Sequence, residues 1–180
     1  MKLLIASDLH GSKASCEQLL ARFREEGADR LLFLGDLLYH GPRNDLPGEY
    51  APKEVIPLLN GIKDRLVCVR GNCEAEVDQM VLEFPVMADY LLLELDGLTM
   101  FATHGHLYNE HRLPPLGSGD VLLNGHTHLH ALEPREGYYY VNPGSVTLPK
   151  GGNEKTYMTY ENRTFVLKRL DGVPLASLEV

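Results

Sequence analysis

The chain has 180 residues, with 17 basic against 25 acidic side chains and a formal net charge of -8. That length suits a single domain over residues 1–180 that buries most of its apolar surface without staples, and the acidic balance excludes a general polyanion binder with a basic face. Cys16, Cys68 and Cys73 cannot all pair, no apolar run approaches the ~20 residues of a membrane span, and Leu3 to Ala6 is too short for a signal segment, so the expectation is a soluble, cytoplasmic protein with reduced thiols.

Leu3 to Ala6 reads as a strand. Ser12 then caps a helix through about Glu26, with Cys16, Leu19, Leu20 and Phe23 at helical spacing and Gly27 as its stop. Leu31 to Leu34 is a second strand, a helix runs from near Pro52 to near Gly61, and Leu66 to Val69 is a third strand. This β-α-β-α-β order implies parallel strands, whose carboxyl ends are where ligands gather. From about Met87 the chain turns β-rich: Leu91 to Leu95, a turn at Asp96-Gly97, Thr99 to Thr103, Val121 to Asn124, Tyr138 to Asn142, Thr156 to Tyr160, Phe165 to Leu170, a turn at Asp171-Gly172, and Pro174 to Leu178. Gly41 to Gly48 and Asn109 to Gly119 read as ordered surface loops rather than linkers. No internal repeat is present.

Five of the apolar runs end in residues that bind metals: Asp8-Leu9-His10-Gly11, Gly35-Asp36, Gly71-Asn72-Cys73-Glu74, Thr103-His104 and Gly125-His126-Thr127-His128. Any one of these is more often a turn or a satisfied histidine. Five together, each delivered to a strand end, point to a metal centre. In Asp8-x-His10 and His126-x-His128 the i, i+2 spacing puts both side chains on one side of an extended backbone. Asp8, His10, Asp36, Asn72, His104, His126 and His128 make seven candidate ligands, too many for one four-coordinate zinc and suited to two adjacent ions.

This ordered series resembles the calcineurin-like metallophosphoesterase superfamily from Asp8 to His128. Gly35-Asp36 with His40-Gly41-Pro42-Arg43-Asn44, then Val69-Arg70-Gly71-Asn72-Cys73-Glu74 and Asn142-Pro143-Gly144-Ser145, is similar to the small bacterial YfcE-type phosphodiesterases. The resemblance implies an α/β fold, a four-layer αββα sandwich of two mixed β-sheets flanked by helices. It also implies one ion on Asp8, His10, Asp36 and His128 and a second on Asp36, Asn72, His104 and His126. Asp36 would bridge them, with a shared hydroxide attacking phosphorus in line and the ions roughly 3.5 to 4 Å apart. The family implies two divalent ions, manganese first; iron, zinc or nickel also suit mixed oxygen and nitrogen ligands. The implied activity is hydrolysis of a small or nucleotide-like phosphodiester, with a homodimer or higher homo-oligomer and without membrane or stable nucleic-acid binding.

Many superfamily members carry His where Cys73 stands. A thiol, with a reference pKa of about 8.5 against about 6.5 for imidazole, is a weaker acid toward a leaving oxygen, so esters with good leaving groups are favoured; the alternative is a packing role. His40 is the other candidate catalytic residue, facing either phosphate or solvent. Arg43 and Asn44 are candidates for binding a substrate oxyanion or bracing their loop. Arg70 either serves the site or pairs with a local carboxylate. His106 is read as standing beside the ligands, His111 in a loop and His130 at the surface. The Tyr138-Tyr139-Tyr140 run reads as alternating strand faces, not a base-stacking platform. Competing readings on the same scaffold are a phosphomonoesterase or protein phosphatase, and a non-catalytic scaffold subunit, whose ligand positions would be free to change.

Overall fold

The short apolar runs form strands because they alternate between two cores. In β1 (Leu3–Ala6), Leu4 and Ala6 face one cluster, while Leu3 and Ile5 face another. The next strand, β2 (Arg30–Phe33), divides Leu31 and Phe33 from Leu32 in the same way. The first cluster takes in α1 (Lys13–Glu25), through Cys16, Leu19, Leu20 and Phe23, and α2 (Pro52–Asn60), through Val55 and Leu59. The second is the seam between two sheets. Ser12 caps α1 by accepting from the Ser15 amide at 3.3 Å, and α2 has proline in its first turn, where no amide is needed.

The structure is a computed structural model describing residues 1–180. After α2 come β3 (Leu66–Cys68), α3 (Glu76–Val81), β4 (Tyr90–Leu95), β5 (Leu98–Thr103), β6 (Asp120–Leu123), β7 (His130–Arg135), β8 (Tyr138–Pro143), β9 (Thr156–Glu161), β10 (Thr164–Arg169) and β11 (Pro174–Glu179). A six-stranded sheet in the order β11-β10-β9-β1-β2-β3 faces a five-stranded sheet in the order β4-β5-β6-β8-β7. Both are mixed: β1, β2 and β3 run parallel, as do β5, β6 and β8, and the remaining pairings are antiparallel.

This is the expected fold class. Helices α1 and α2 cover the outer face of the first sheet; on the second, Phe101, Leu122 and Tyr140 are covered by Tyr108 and Leu116 of the β5–β6 connection. Two elements differ from the sequence reading. The β7 strand is an edge strand whose Pro134 lies opposite Tyr139, a place where a missing amide costs no ladder bond. The short α3 buries none of its side chains, so it lacks the apolar periodicity that reveals a helix. No helix is long and apolar enough to cross a membrane.

Candidate metal centre

The carboxyl ends of β1, β2, β3, β5 and β6 release the chain into tight loops, and each loop carries a predicted ligand. Five of these residues turn through the left-handed region: Asp8 (φ 60°), His10 (50°), Asp36 (59°), His126 (66°) and His128 (60°). Non-glycine residues adopt such angles at a cost, so the surroundings must hold them there. They do so with bonds between loops. The Asp8 amide donates to Gly35 O at 3.1 Å, the His10 amide to Asp36 O at 2.9 Å and the His126 amide to Asp8 Oδ2 at 3.0 Å. From the Asn142-Pro143-Gly144-Ser145 turn, Asn142 donates to Gly125 O and Ser145 to Asp8 O, both at 2.8 Å. Gly71 and Gly125 admit this closeness: a Cβ on the first would lie 2.6 Å from the Asp36 amide nitrogen, and on the second 2.7 Å from Ser7 Cβ.

Within this frame the imidazoles are oriented by backbone carbonyls. His10 Nδ1 faces Tyr39 O at 2.9 Å, His104 Nδ1 faces Leu34 O at 2.6 Å, and His128 Nδ1 faces Leu148 O at 2.5 Å. A carbonyl only accepts, so each Nδ1 carries a proton and each Nε2 points inward, where the neutral ring offers its lone pair to a cation. His10 Nε2 and His128 Nε2 stand 3.2 Å apart, with Asp8 Oδ1 3.2 Å from the second and 3.6 Å from the first. A second group gathers around His104 Nε2, which is 3.2 Å from Asn72 Oδ1, 3.2 Å from His126 Nδ1 and 3.5 Å from Asp36 Oδ2. Asp36 Oδ2 also lies 3.7 Å from His10 Nε2, while its Oδ1 accepts from the Cys73 amide. One Asp36 oxygen thus faces both groups.

This arrangement fits cations. Asp8 Oδ1 is buried and has no hydrogen-bond donor in good geometry, and two lone-pair nitrogens at 3.2 Å repel unless something positive lies between them. Asp8, His10 and His128, and likewise Asp8, Asp36 and His104, offer ligand atoms all within 4.8 Å of one another. The electrostatics agree. Burial opposes ionisation of Asp8, but His10, His128 and His104 overcome it and hold its carboxyl well below the usual range. Burial also works against charge on His104, yet Asp36 and Asp8 reverse that and raise it to about 9. A set of carboxylates that retains a proton this firmly will also retain a metal ion.

Around the ligands, Glu74 does work that the sequence reading did not assign. Its carboxylate is buried and accepts from the amides of Asp36 (2.8 Å), Leu37 (2.6 Å) and Gly71 (2.5 Å), tying the β2 and β3 loops together. Burial and the Asp36 charge push it up to about 7 against those three bonds. Its only sequence signal was its place in Gly71-Asn72-Cys73-Glu74. Cys73 is half-buried beside Asn72 Nδ2 at 3.3 Å, and burial, then the Asp36 charge, push its thiol up, so it is protonated.

A polar cleft of about 300 Å³ opens over Asp36, Asn72, His126 and His128, flanked by Arg43, Asn44 and Lys150, with no apolar residue in its lining. Asn44 also braces its loop by donating to His40 O at 2.8 Å. Lys150 carried no sequence signal; its amide donates to His128 O at 3.1 Å, which sets it beside the ligands. His40 does not line the cleft. It packs edge-on against Tyr39 and Tyr50, with its Nδ1 enclosed and unpartnered. His106 packs edge-on against His104 and is driven down to about 4 by burial and then by the charges of His104 and His126. Arg70 pairs with Asp89 at 2.7 Å, and His111 is exposed. His130, read as a surface residue, is half-buried at the start of β7, where strand pairing covers it.

Residues 1–164 match the family model of the calcineurin-like phosphoesterase superfamily domain. Phosphodiesterase YfcE of Escherichia coli K12 is 48% identical over 162 residues, covering 90% of this chain and 88% of that protein. The probable metallophosphoesterase YsnB of Bacillus subtilis is 28% identical, covering 95% and 91%. The solved structure of E. coli YfcE, described as a phosphoesterase, matches with a TM-score of 0.97 at 45% identity over 99% of both chains. Vps29 of Entamoeba histolytica matches with a TM-score of 0.64 at 20% identity, over 100% of this chain and 99% of that one, a likeness of fold.

Proposed function

Because the chain belongs to the calcineurin-like phosphoesterase superfamily, we propose that its strand-end cluster is the dinuclear centre of a metal-dependent phosphodiesterase acting on a small or nucleotide-like substrate. The observation that carries this reading is the inward-facing pair of His10 and His128 Nε2 atoms beside the partnerless Asp8 Oδ1. Asp8, His10, Asp36 and His128 would hold one ion, and Asp36, Asn72, His104 and His126 the other, with manganese as the metal. When bound, such ions supply Lewis-acid charge and nucleophilic water at neutral pH.

The chain's own residues do the rest. Arg43, Asn44 and Lys150 line the cleft and bind the phosphate oxygens, Arg43 with a fork suited to two of them. His40, set back against Tyr39 and Tyr50, would position Asn44, which donates to its carbonyl, rather than touch the substrate. The Cys73 thiol is neutral and a weak proton donor, which favours diesters with acidic leaving groups over alkyl monoesters. The likeness to Vps29 is one of fold and does not argue for a scaffold role. The protein acts as one domain in the cytoplasm, as a homodimer or higher homo-oligomer.

The test is chelator-stripped protein reloaded with single metals and assayed on aryl and alkyl diesters and monoesters. Diester turnover restored best by manganese is expected; undiminished turnover in stripped protein would sink the reading. In Cys73→His the ratio of alkyl to aryl ester turnover should rise, and an unchanged ratio would remove Cys73 from the chemistry.

A further inference from the structure

The polar cleft has an apolar neighbour. A groove of about 470 Å³ is lined by Leu38, Tyr39, Tyr50, Ile56, Val77 and Val81, with Cys73 among its walls. Cys73 Sγ also lies within 4.8 Å of ligand atoms of His10 and Asp36, so one wall of the groove borders the metal centre. Its apolar side chains are left open to solvent: Val77 is 61% exposed, Tyr39 43% and Val81 40%. Consecutive residues divide the two spaces, with Asn72 in the polar cleft and Cys73 in the groove. A phosphate held in the cleft would direct one of its ester groups over Cys73 and into the groove.

We propose that the groove is the subsite for an uncharged aryl or alkyl ester group of the substrate, so that the natural diester joins an apolar organic group to phosphate. This rests on the phosphodiesterase reading and specifies its substrate class. Eight of its 11 lining residues are hydrophobic, with Lys53 and Asp78 the charged ones, and the contact area of Tyr39, Tyr50, Ile56 and Val77 suits an apolar group better than a sugar. The backbone already ties the groove to catalysis, because Tyr39 O orients the His10 ring.

Calorimetric binding of methylphosphonate and phenylphosphonate to manganese-loaded protein tests it without turnover. The phenyl compound should bind about tenfold tighter, the ratio expected from burying roughly a third of a ring's surface. Val77→Asp should bring that ratio close to one, and Val77→Leu should keep it. Equal affinities in the wild type would overturn the proposal. So would a missing phenyl preference together with a dimer that Val77→Asp dissociates, which would assign the groove to a second copy of the chain. A phenyl preference in protein that hydrolyses no diester would support the subsite and overturn the phosphodiesterase reading.

Discussion

The two ends of β1 carry carboxylates in opposite situations, one half-buried and the other buried. Below its first residue, Glu26 is bound by Lys168 Nζ at 2.6 Å, Tyr157 OH at 2.8 Å and Lys2 Nζ at 3.0 Å, a carboxylate complete within the chain. Beyond its last residue, Asp8 and Asp36 face histidine nitrogens aimed at one another, and Asp8 Oδ1 has no hydrogen-bond donor in good geometry. The first cluster is satisfied by its own side chains. The second gathers the ligand atoms of a metal site, and five of its residues hold left-handed backbone angles that the loops around them fix.

Substitutions at each end should therefore have opposite signatures. Asp36→Asn should cut diester turnover by about three orders of magnitude, since it removes the one oxygen that faces both ligand groups. Glu26→Gln should leave turnover within about twofold. An Asp36→Asn variant with wild-type kinetics, or a Glu26→Gln variant without activity, would break the comparison.

Metal should stabilise only one end. At about a thousandfold excess over its dissociation constant, manganese should add about 4 kcal/mol to unfolding, read as a higher melting temperature. Asp8→Asn should lose most of this gain, and Glu26→Gln should keep it. Glu74→Ala should destabilise by about 2–3 kcal/mol by leaving three buried amides unpaired, and should also weaken metal binding through Asp36. Wild-type metal affinity in that variant would reduce Glu74 to a purely structural role.

Acid separates the two ends further. Burial opposes charge on Glu26, but Lys168, Lys2 and Tyr157 lower its pKa from 4.5 to about 2. A group depressed in the folded state contributes stability above its unfolded pKa and loses it as pH falls toward the folded value. Stability should therefore drop by about 1–2 kcal/mol between pH 4.5 and 2, and Glu26→Gln should flatten that portion of the curve. The smallest effect is at the metal end. His104, raised to about 9, is protonated near neutral pH in metal-free protein, so loading should release a proton. Calorimetric enthalpies that do not change with buffer ionisation would contradict this.

The difference between the ends also explains what the sequence revealed. Ligand types after apolar runs are a local signal, and the gathering of Asp8, His10, Asp36, Asn72, His104, His126 and His128 at the strand ends was legible for that reason. So were β1 and α1, whose periodicities are strong. The supports were not. Glu74 serves amides 37 and 38 residues away, and Lys150 reaches the site through a loop bonded to His128, so neither leaves a local pattern. The β7 strand was masked by Pro134, and α3 by its exposure on all sides.

The central claim, two cations completing one end of β1, is tested most directly by following diester turnover while stripped protein is titrated with manganese. Activity that stays low through the first equivalent and rises to its plateau with the second is the predicted result. Full activity before any metal is added, or a plateau at one ion per chain, would contradict it.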